Sequence, residues 1–453
     1  MNFDELGCRK IVQGHLIDIP SNAKGGSGME KQRNLVVWLW VMMTLVLGSV
    51  ITPQLLRAEE IRYPIPCYAG EELARVKAWE KTWVGQKITP ANIDEIKDLL
   101  PSPLYDLLST PEKWGEYWFE IVPYREMEHT EGEIRYTKEG RCSIGPDEGL
   151  VNYVSGFPFP TPQTGLEVAY NFDSVHWGDN FIDHTLMQVA DGRRKYNRHV
   201  GVDEYQTYFT GRRDVPPVPA FDPNPNDMYH AYHAAYFAPP ALKGTRALTI
   251  KWNDRTRDYG SWEFSSSTRR VLRRSTAQRQ THIGPSDFTY DDQSGYNWVI
   301  NAQTYKLIGR KELLMPRNQD PEQLEKNDIE GLCYVSGHQR ELINTYELEC
   351  INKDPNYIYS KQIWYVDPES WTLLYAMKYD RQGKLWKLSD VATQSIKSEH
   401  EGIPALRIAN QTIIDVQRMH GTKAYFQKWI AGAKGLNLDM EYFTPQALQR
   451  YGY

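Results

Sequence analysis

The chain has 453 residues, a net charge of −6 and 12% aromatic side chains, among them 29 Tyr and 14 Trp. A mildly acidic chain of this kind is not an obvious nucleic-acid binder, and the length suffices for one large core or two. Tyr and Trp join an apolar body to a polar tip, so they suit a sheet surface or a cavity touching both water and a ligand.

In chain order, the first expectation is a leader over residues 1–58. Leu35 to Ile51 (LVVWLWVMMTLVLGSVI) is almost free of polar groups and follows Lys31 and Arg33, while Pro53 and Ala58 precede Glu59 and Glu60. A basic region, an apolar run and a small residue before polar sequence make the layout of a cleaved secretory signal, which predicts a periplasmic protein. The run is near the lower limit for spanning a bilayer, so an inner-membrane anchor facing the periplasm is the alternative. Leu56 stands where a small residue is preferred. Residues 1–28 fit a signal badly and Met29 (MEKQRN) is a cleaner start, which makes 1–28 a misplaced start and 29–58 the signal peptide. Residues 1–58 carry six basic and four acidic side chains, so the remainder has a charge near −8.

Export leaves Cys67, Cys142, Cys333 and Cys350, which allow three pairings in an oxidising compartment. Cys333–Cys350 is the expected disulfide, because a loop and a strand lie between them; four thiols are the alternative. No Cys/His cluster points to zinc, and no Cys closes the leader for lipid attachment.

Residues 59–115 read as a helical segment. EELARVKAWEKTW places Leu73, Val76, Ala78 and Trp79 near one face, ITPANIDEIKDLL resembles a capped turn, and Pro101, Pro103 and Pro111 break the rest. Residues 116–453 read as mainly β within an α+β chain. WFEIVPY is a strand, Gly156 to Gly165 a loop, and LEVAYNFDSVHWGDN a helix docked on a sheet. From Ile182 onward many short strands with tight turns predict one large antiparallel sheet, curled into a barrel or half-barrel. DPES and DRQG are turn signals.

Strand alternation divides candidate residues between two faces. In TRALTIKW, Ala247, Thr249 and Lys251 oppose Leu248, Ile250 and Trp252; in DYGSWEFSS, Tyr259, Ser261 and Glu263 oppose Gly260, Trp262 and Phe264. Trp252, Trp262 and Phe264 are the first candidates for a cavity wall, followed by Trp364, Tyr375, Tyr379 and Trp386; ordinary core packing is the alternative for each. Tyr290, among Asp287, Asp291 and Asp292, reads as a plug at a barrel mouth. RRVLRR gathers Arg269, Arg270, Arg273 and Arg274, either a dock for an anionic head group or acidic partner or an edge strand guarded by charge. His230 and His233 fall on opposite faces of a strand, which argues against a shared metal. No GxSxG, HExxH, P-loop or GxGxxG is present, and no cofactor or catalytic residue is indicated.

The order of RRVLRRSTAQRQTHIGPSDFTYDD, YKLIGRKELL and IWYVDPESWTLLYAMKYDRQGKLWK resembles the outer-membrane lipoprotein-sorting-protein-like superfamily, the lipoprotein carrier fold. PEKWGEYWFEIVPYR, EGRCSIGPDEGLVNYVSGFPFP, AYFAPPALKG and FTPQALQR resemble, more narrowly, the periplasmic DUF1329 family. That resemblance implies a strongly curved antiparallel half-barrel with covering helices around an apolar cavity. It implies a periplasmic carrier or chaperone for a lipid or other hydrophobic ligand, serving an RND-type inner-membrane exporter and an outer-membrane protein. Such a cavity has a clear physical use: a chain of roughly 14 methylenes exposed to water carries on the order of 11 kcal/mol of transfer penalty. A non-catalytic assembly factor binding a partner protein and a periplasmic hydrolase of envelope lipid or polysaccharide are the rival readings.

Overall fold

The alternating runs and turn signals resolve into seventeen strands among the described residues of the computed structural model, which are 62–191, 195–329, 331–397, 402–431 and 438–450. The expected start and signal peptide lie outside them. β1 (Lys87–Ile88) and β2 (Phe119–Ile121) come first, then a small hairpin of β3 (Ser143–Ile144) and β4 (Leu150–Val151). A meander follows of β5 (Asn180–Asp191), β6 (Lys195–Tyr208), β7 (Met228–Ala238), β8 (Arg246–Trp252), β9 (Gly260–Ser265) and β10 (Arg270–Arg273). β11 (Gln303–Met315) leads into β12 (His338–Asn352), β13 (Lys361–Val366), β14 (Leu373–Tyr379), β15 (Leu385–Lys397), β16 (Pro404–Asp415) and β17 (His420–Ala431).

β17 pairs with β5, which fuses the two meanders into one sheet running β1-β2-β12-β13-β14-β15-β16-β17-β5-β6-β7-β8-β9-β10, with β11 on β12. Pairing is antiparallel throughout except between β2 and β12. The terminal strands β1 and β10 do not pair with each other, so the sheet is an open half-barrel, not a closed barrel. Bulges at Leu307/Gly309, Val189/Ala190 and Ala392/Thr393 bend it.

Both faces are covered. On the outer face, the helices Gly70–Trp83 and Ser102–Leu108 belong to a core with Leu313, Ile343, Tyr375 and Leu388. The helical segment therefore packs into the same unit as the sheet. Further along the same face, Leu438, Phe443 and Leu448 of the C-terminal segment cover Leu248, Ile250 and Phe264. On the inner face, the helix Gly165–Asp173 is fixed by a capping box of Thr164 and Glu167. It lies so close to β11 that a Cβ on Gly165 would stand 2.7 Å from the Tyr305 carbonyl oxygen, and its Phe172 meets the Trp364 ring at 5.3 Å.

The rest of the inner face is closed by the segment from Ile283 to Ile300, held by charge. Asp292, fully buried, accepts from Lys378 Nζ at 2.5 Å, from Tyr359 at 2.9 Å and from the Thr289 backbone at 2.9 Å, with Lys387 Nζ 3.6 Å away. Burial opposes its ionisation, but Lys378 and Lys387 outweigh that and hold the carboxyl well below its usual range. Asp287 adds hydrogen bonds from His420 and Thr422, both at 2.7 Å. Removing one partner from a buried ion group leaves uncompensated charge and costs about 3–5 kcal/mol. Asp292→Ala should lower unfolding stability by about that amount in urea titration; a loss below about 1 kcal/mol would show that the segment is held by its apolar contacts instead.

Candidate ligand site

Between the helix Gly165–Asp173, the Phe288–Asn297 stretch and the inner face of β5–β8, β16 and β17 lies a recess of about 920 Å³, counting the space open to solvent at its mouth. A lobe of about 360 Å³ shares its walls at Trp177, Glu204, Gln206 and Phe426, and one of about 440 Å³ shares Tyr232 and Asn297. The space exists because the inner face carries small or polar residues where the strands pass beneath the roof. Cross-strand register sets Asp183 opposite Glu204, Thr185 opposite Phe426, and His230 opposite Lys251. Phe172, Trp177, Phe288, Tyr296 and Phe426 supply aromatic walls, and Gln206, Gln293, Asn297 and Gln411 supply amides.

The charges inside are unevenly satisfied. Asp173 accepts from Arg255 at 2.5 Å. Glu204 is walled by protein but still touched by solvent, and burial pushes its carboxyl up to about 7. Burial, reinforced by Glu204, pushes Asp183 well above the usual carboxylate range. Burial lowers the affinity of Lys251 for its proton, and burial together with Lys251 holds the His230 imidazole neutral. Three buried polar atoms on these walls, Thr185 Oγ1, Tyr229 OH and His230 Nε2, have no hydrogen-bond partner in the protein. A tightly packed core rarely leaves such groups unpaired. Open to solvent and edged with both rings and hydrogen-bonding groups, the recess has the makings of a binding site.

A separate cleft of about 680 Å³ opens between His129, Asp179, Arg213 and Leu406. His129 Nδ1 lies 2.6 Å from Glu133 Oε1, Glu133 also pairs with Arg213, and His176 Nε2 lies 3.2 Å from Asp179. Asp179 accepts the backbone N–H groups of residues 213, 214 and 215. Among the described residues, no group of three or more His, Cys, Asp or Glu is placed to hold a metal ion, and no helix is long and apolar enough to cross a membrane.

The family model described as "Protein of unknown function (DUF1329)" matches residues 87–449. The chain belongs to the DUF1329 family. It is 24% identical over 326 residues to an uncharacterized protein of Pseudomonas aeruginosa, covering 67% of this chain and 68% of that one. Among solved structures, a DUF1329 family protein from Desulfovibrio piger aligns with a TM-score of 0.45 and 17% identity, over 63% of this chain and 97% of the other. A domain described as an outer membrane lipoprotein-sorting protein domain, from Vibrio parahaemolyticus, aligns with a TM-score of 0.44 and 17% identity, over 63% and 98%.

In this DUF1329 chain the aromatic residues expected on a cavity wall are placed largely elsewhere. Trp252, Trp262 and Phe264 point to the outer face, against Leu438, Phe443 and Leu448. The alternation is as read, but the inner set is Thr249, Lys251 and Ser261, because the C-terminal segment claims the apolar side. Tyr375 and Tyr379 also belong to the outer core. Trp364 is inner but fully buried behind Phe172 and Tyr296. Trp386 packs on Tyr359 and donates to Asp415 at 2.9 Å. Tyr290 lines the 440 Å³ lobe, with the Arg274 guanidinium 4.2 Å from its ring. Arg274 turns inward to pair with Glu263, so it leaves the arginine cluster; Arg269, Arg270 and Arg273 stay exposed on the β9–β10 hairpin. No disulfide joins Cys333 to Cys350: the Cys333 thiol contacts the Ala190 carbonyl at 3.4 Å, whereas Cys350 is buried in the core beneath the Gly165–Asp173 helix. His230 faces the recess, and His233 faces the other way, against Tyr442.

Asp183 and Glu204 escaped sequence reading because nothing in DHTL or VDEYQTY tells which carboxylate is inward. A carboxyl whose proton is retained to about 7 in the fold, but only to ~4.3 when unfolded, binds more protons folded than unfolded in that window. Its contribution to stability is therefore complete below about pH 4 and lost as pH rises through about 7. Unfolding stability should fall between about pH 5 and pH 8, and Glu204→Gln should exceed the wild type at the upper end by up to about 3 kcal/mol. Identical pH dependence in the two proteins would remove Glu204 from this account.

Proposed function

We propose that this DUF1329 protein is a non-catalytic periplasmic carrier or chaperone that shelters the apolar part of an amphiphilic ligand in the inner-face recess. The observation that carries the reading is a recess walled by rings and edged by unpartnered polar atoms, on a sheet face otherwise filled by side chains. Burying hydrocarbon there offsets about 0.8 kcal/mol per methylene without any chemistry. The leader layout supports a periplasmic location, and the sequence resemblance supports service to an RND-type exporter with an outer-membrane partner.

A second reading, hydrolysis, has one observation in its favour: the His129–Glu133 pair at the edge of the 680 Å³ cleft, an imidazole oriented by a carboxylate. Turnover of a p-nitrophenyl ester that disappears in His129→Ala would favour it; equal background rates in both proteins would end it.

The carrier reading is tested by filling the recess. Ala424, buried in its wall, replaced by Phe should weaken uptake of a fluorescent fatty-acid probe by about tenfold or more, while Trp262→Ala, on the outer face, should leave it within about twofold. Unchanged binding in a folded Ala424→Phe protein places the probe elsewhere and overturns the assignment.

A further inference from the structure

The inner lobe of the recess has an arrangement that a purely hydrocarbon cargo does not call for. Asp183 and Glu204 stand directly opposite each other on β5 and β6 and so share one face. Like charges in that position repel, and a sheet carrying them is less stable than one without. Among the described residues, neither carboxylate is in an ion pair within 4.0 Å; Glu204 accepts from Gln206 Nε2 at 3.4 Å. Arg407 lines the lobe and acts on Asp183 from a distance, but its guanidinium is engaged with the Phe426 carbonyl. Lys251 lies toward the other end of the recess, where Asp173 and the Tyr259 ring, 4.9 Å away, face it.

Two further features point to an occupant. Thr185, next inward residue to Asp183 on β5 and only 2% exposed, aims a hydroxyl at the recess with no protein partner. Trp177, Phe181 and Phe426 line the lobe around the carboxylates, and ring faces attract cations. Paired carboxylates, an orphan hydroxyl and aromatic walls are the groups whose interactions an ammonium ion can complete.

We infer that the ligand is a cationic amphiphile, whose amine or quaternary ammonium head is received by Asp183 and Glu204 while its apolar part lies along the aromatic walls. The inference rests on the carrier reading and specifies its cargo.

The test compares three probes of one chain length, each below its micelle concentration: dodecyltrimethylammonium, dodecyl sulfate and dodecanol. Titration at about pH 8, above the value of about 7 to which burial raises the Glu204 carboxyl, favours its ionised form in the wild type. The expected result is that the ammonium probe binds at least about tenfold more tightly than the other two. Glu204→Gln and Asp183→Asn, each checked for folding by circular dichroism, should each reduce that preference severalfold. Equal affinity for all three probes, tighter binding of the sulfate, or an ammonium preference untouched by either substitution overturns the cationic assignment while the carrier reading stands. Absence of binding by all three overturns both.

Discussion

Lys378 and Lys387, neighbours on β14 and β15, direct two buried cations at one carboxylate, Asp292. That contact fixes where the segment from Ile283 to Ile300 crosses the inner face. Lysines in the middle of a sheet are costly unless something answers their charge, and the answering group arrives on a loop. The loop brings Phe288, Gln293, Tyr296 and Asn297 with it, and these form one side of the recess. The other side is the sheet itself, where Asp183, Thr185, Glu204 and Lys251 replace the aliphatic residues that would have filled the space. The hollow thus follows from two features: a roof pinned by charge, and a floor that lacks the bulk to meet it.

The two sets of buried carboxylates behave in opposite ways. Asp292 is stabilised as an anion by adjacent lysines, and its role is complete within the protein. Asp183 and Glu204 lack such neighbours, and burial disfavours their charged forms. Groups that cost stability at neutral pH and face a cavity are characteristic of sites where a ligand completes the interactions. The same contrast distinguishes the recess from the cleft at His129, where Glu133 and Asp179 are already taken up by Arg213 and by backbone N–H groups.

Much of the architecture was legible in the sequence. Alternation and turn signals in TRALTIKW, DYGSWEFSS and TLLYAMKYD marked strands that the structure contains, and the resemblance carried by PSDFTYDD and the strands after it led to the family and to an open half-barrel. The site was far less legible, for a physical reason. Alternation states which residues share a face but not what covers that face. Trp252, Trp262 and Phe264 looked like a cavity wall until the distant residues Leu438, Phe443 and Leu448 took them as partners. The disulfide expectation failed similarly: Cys333 and Cys350 are close in sequence, but Cys333 abuts β5 and Cys350 lies under the Gly165–Asp173 helix. Asp183 and Glu204 carry no local signature, because an inward carboxylate and an outward one have the same sequence context.

The claim on which the account turns is that the recess holds a molecule when the protein is working. Native mass spectrometry of the protein, isolated without detergent from its own host, measures this directly. The account predicts a bound small molecule of defined mass that is released by organic solvent and proves, on identification, to have an apolar body. A protein that consistently flies at the mass of its polypeptide alone, under conditions gentle enough to preserve weak complexes, would contradict it.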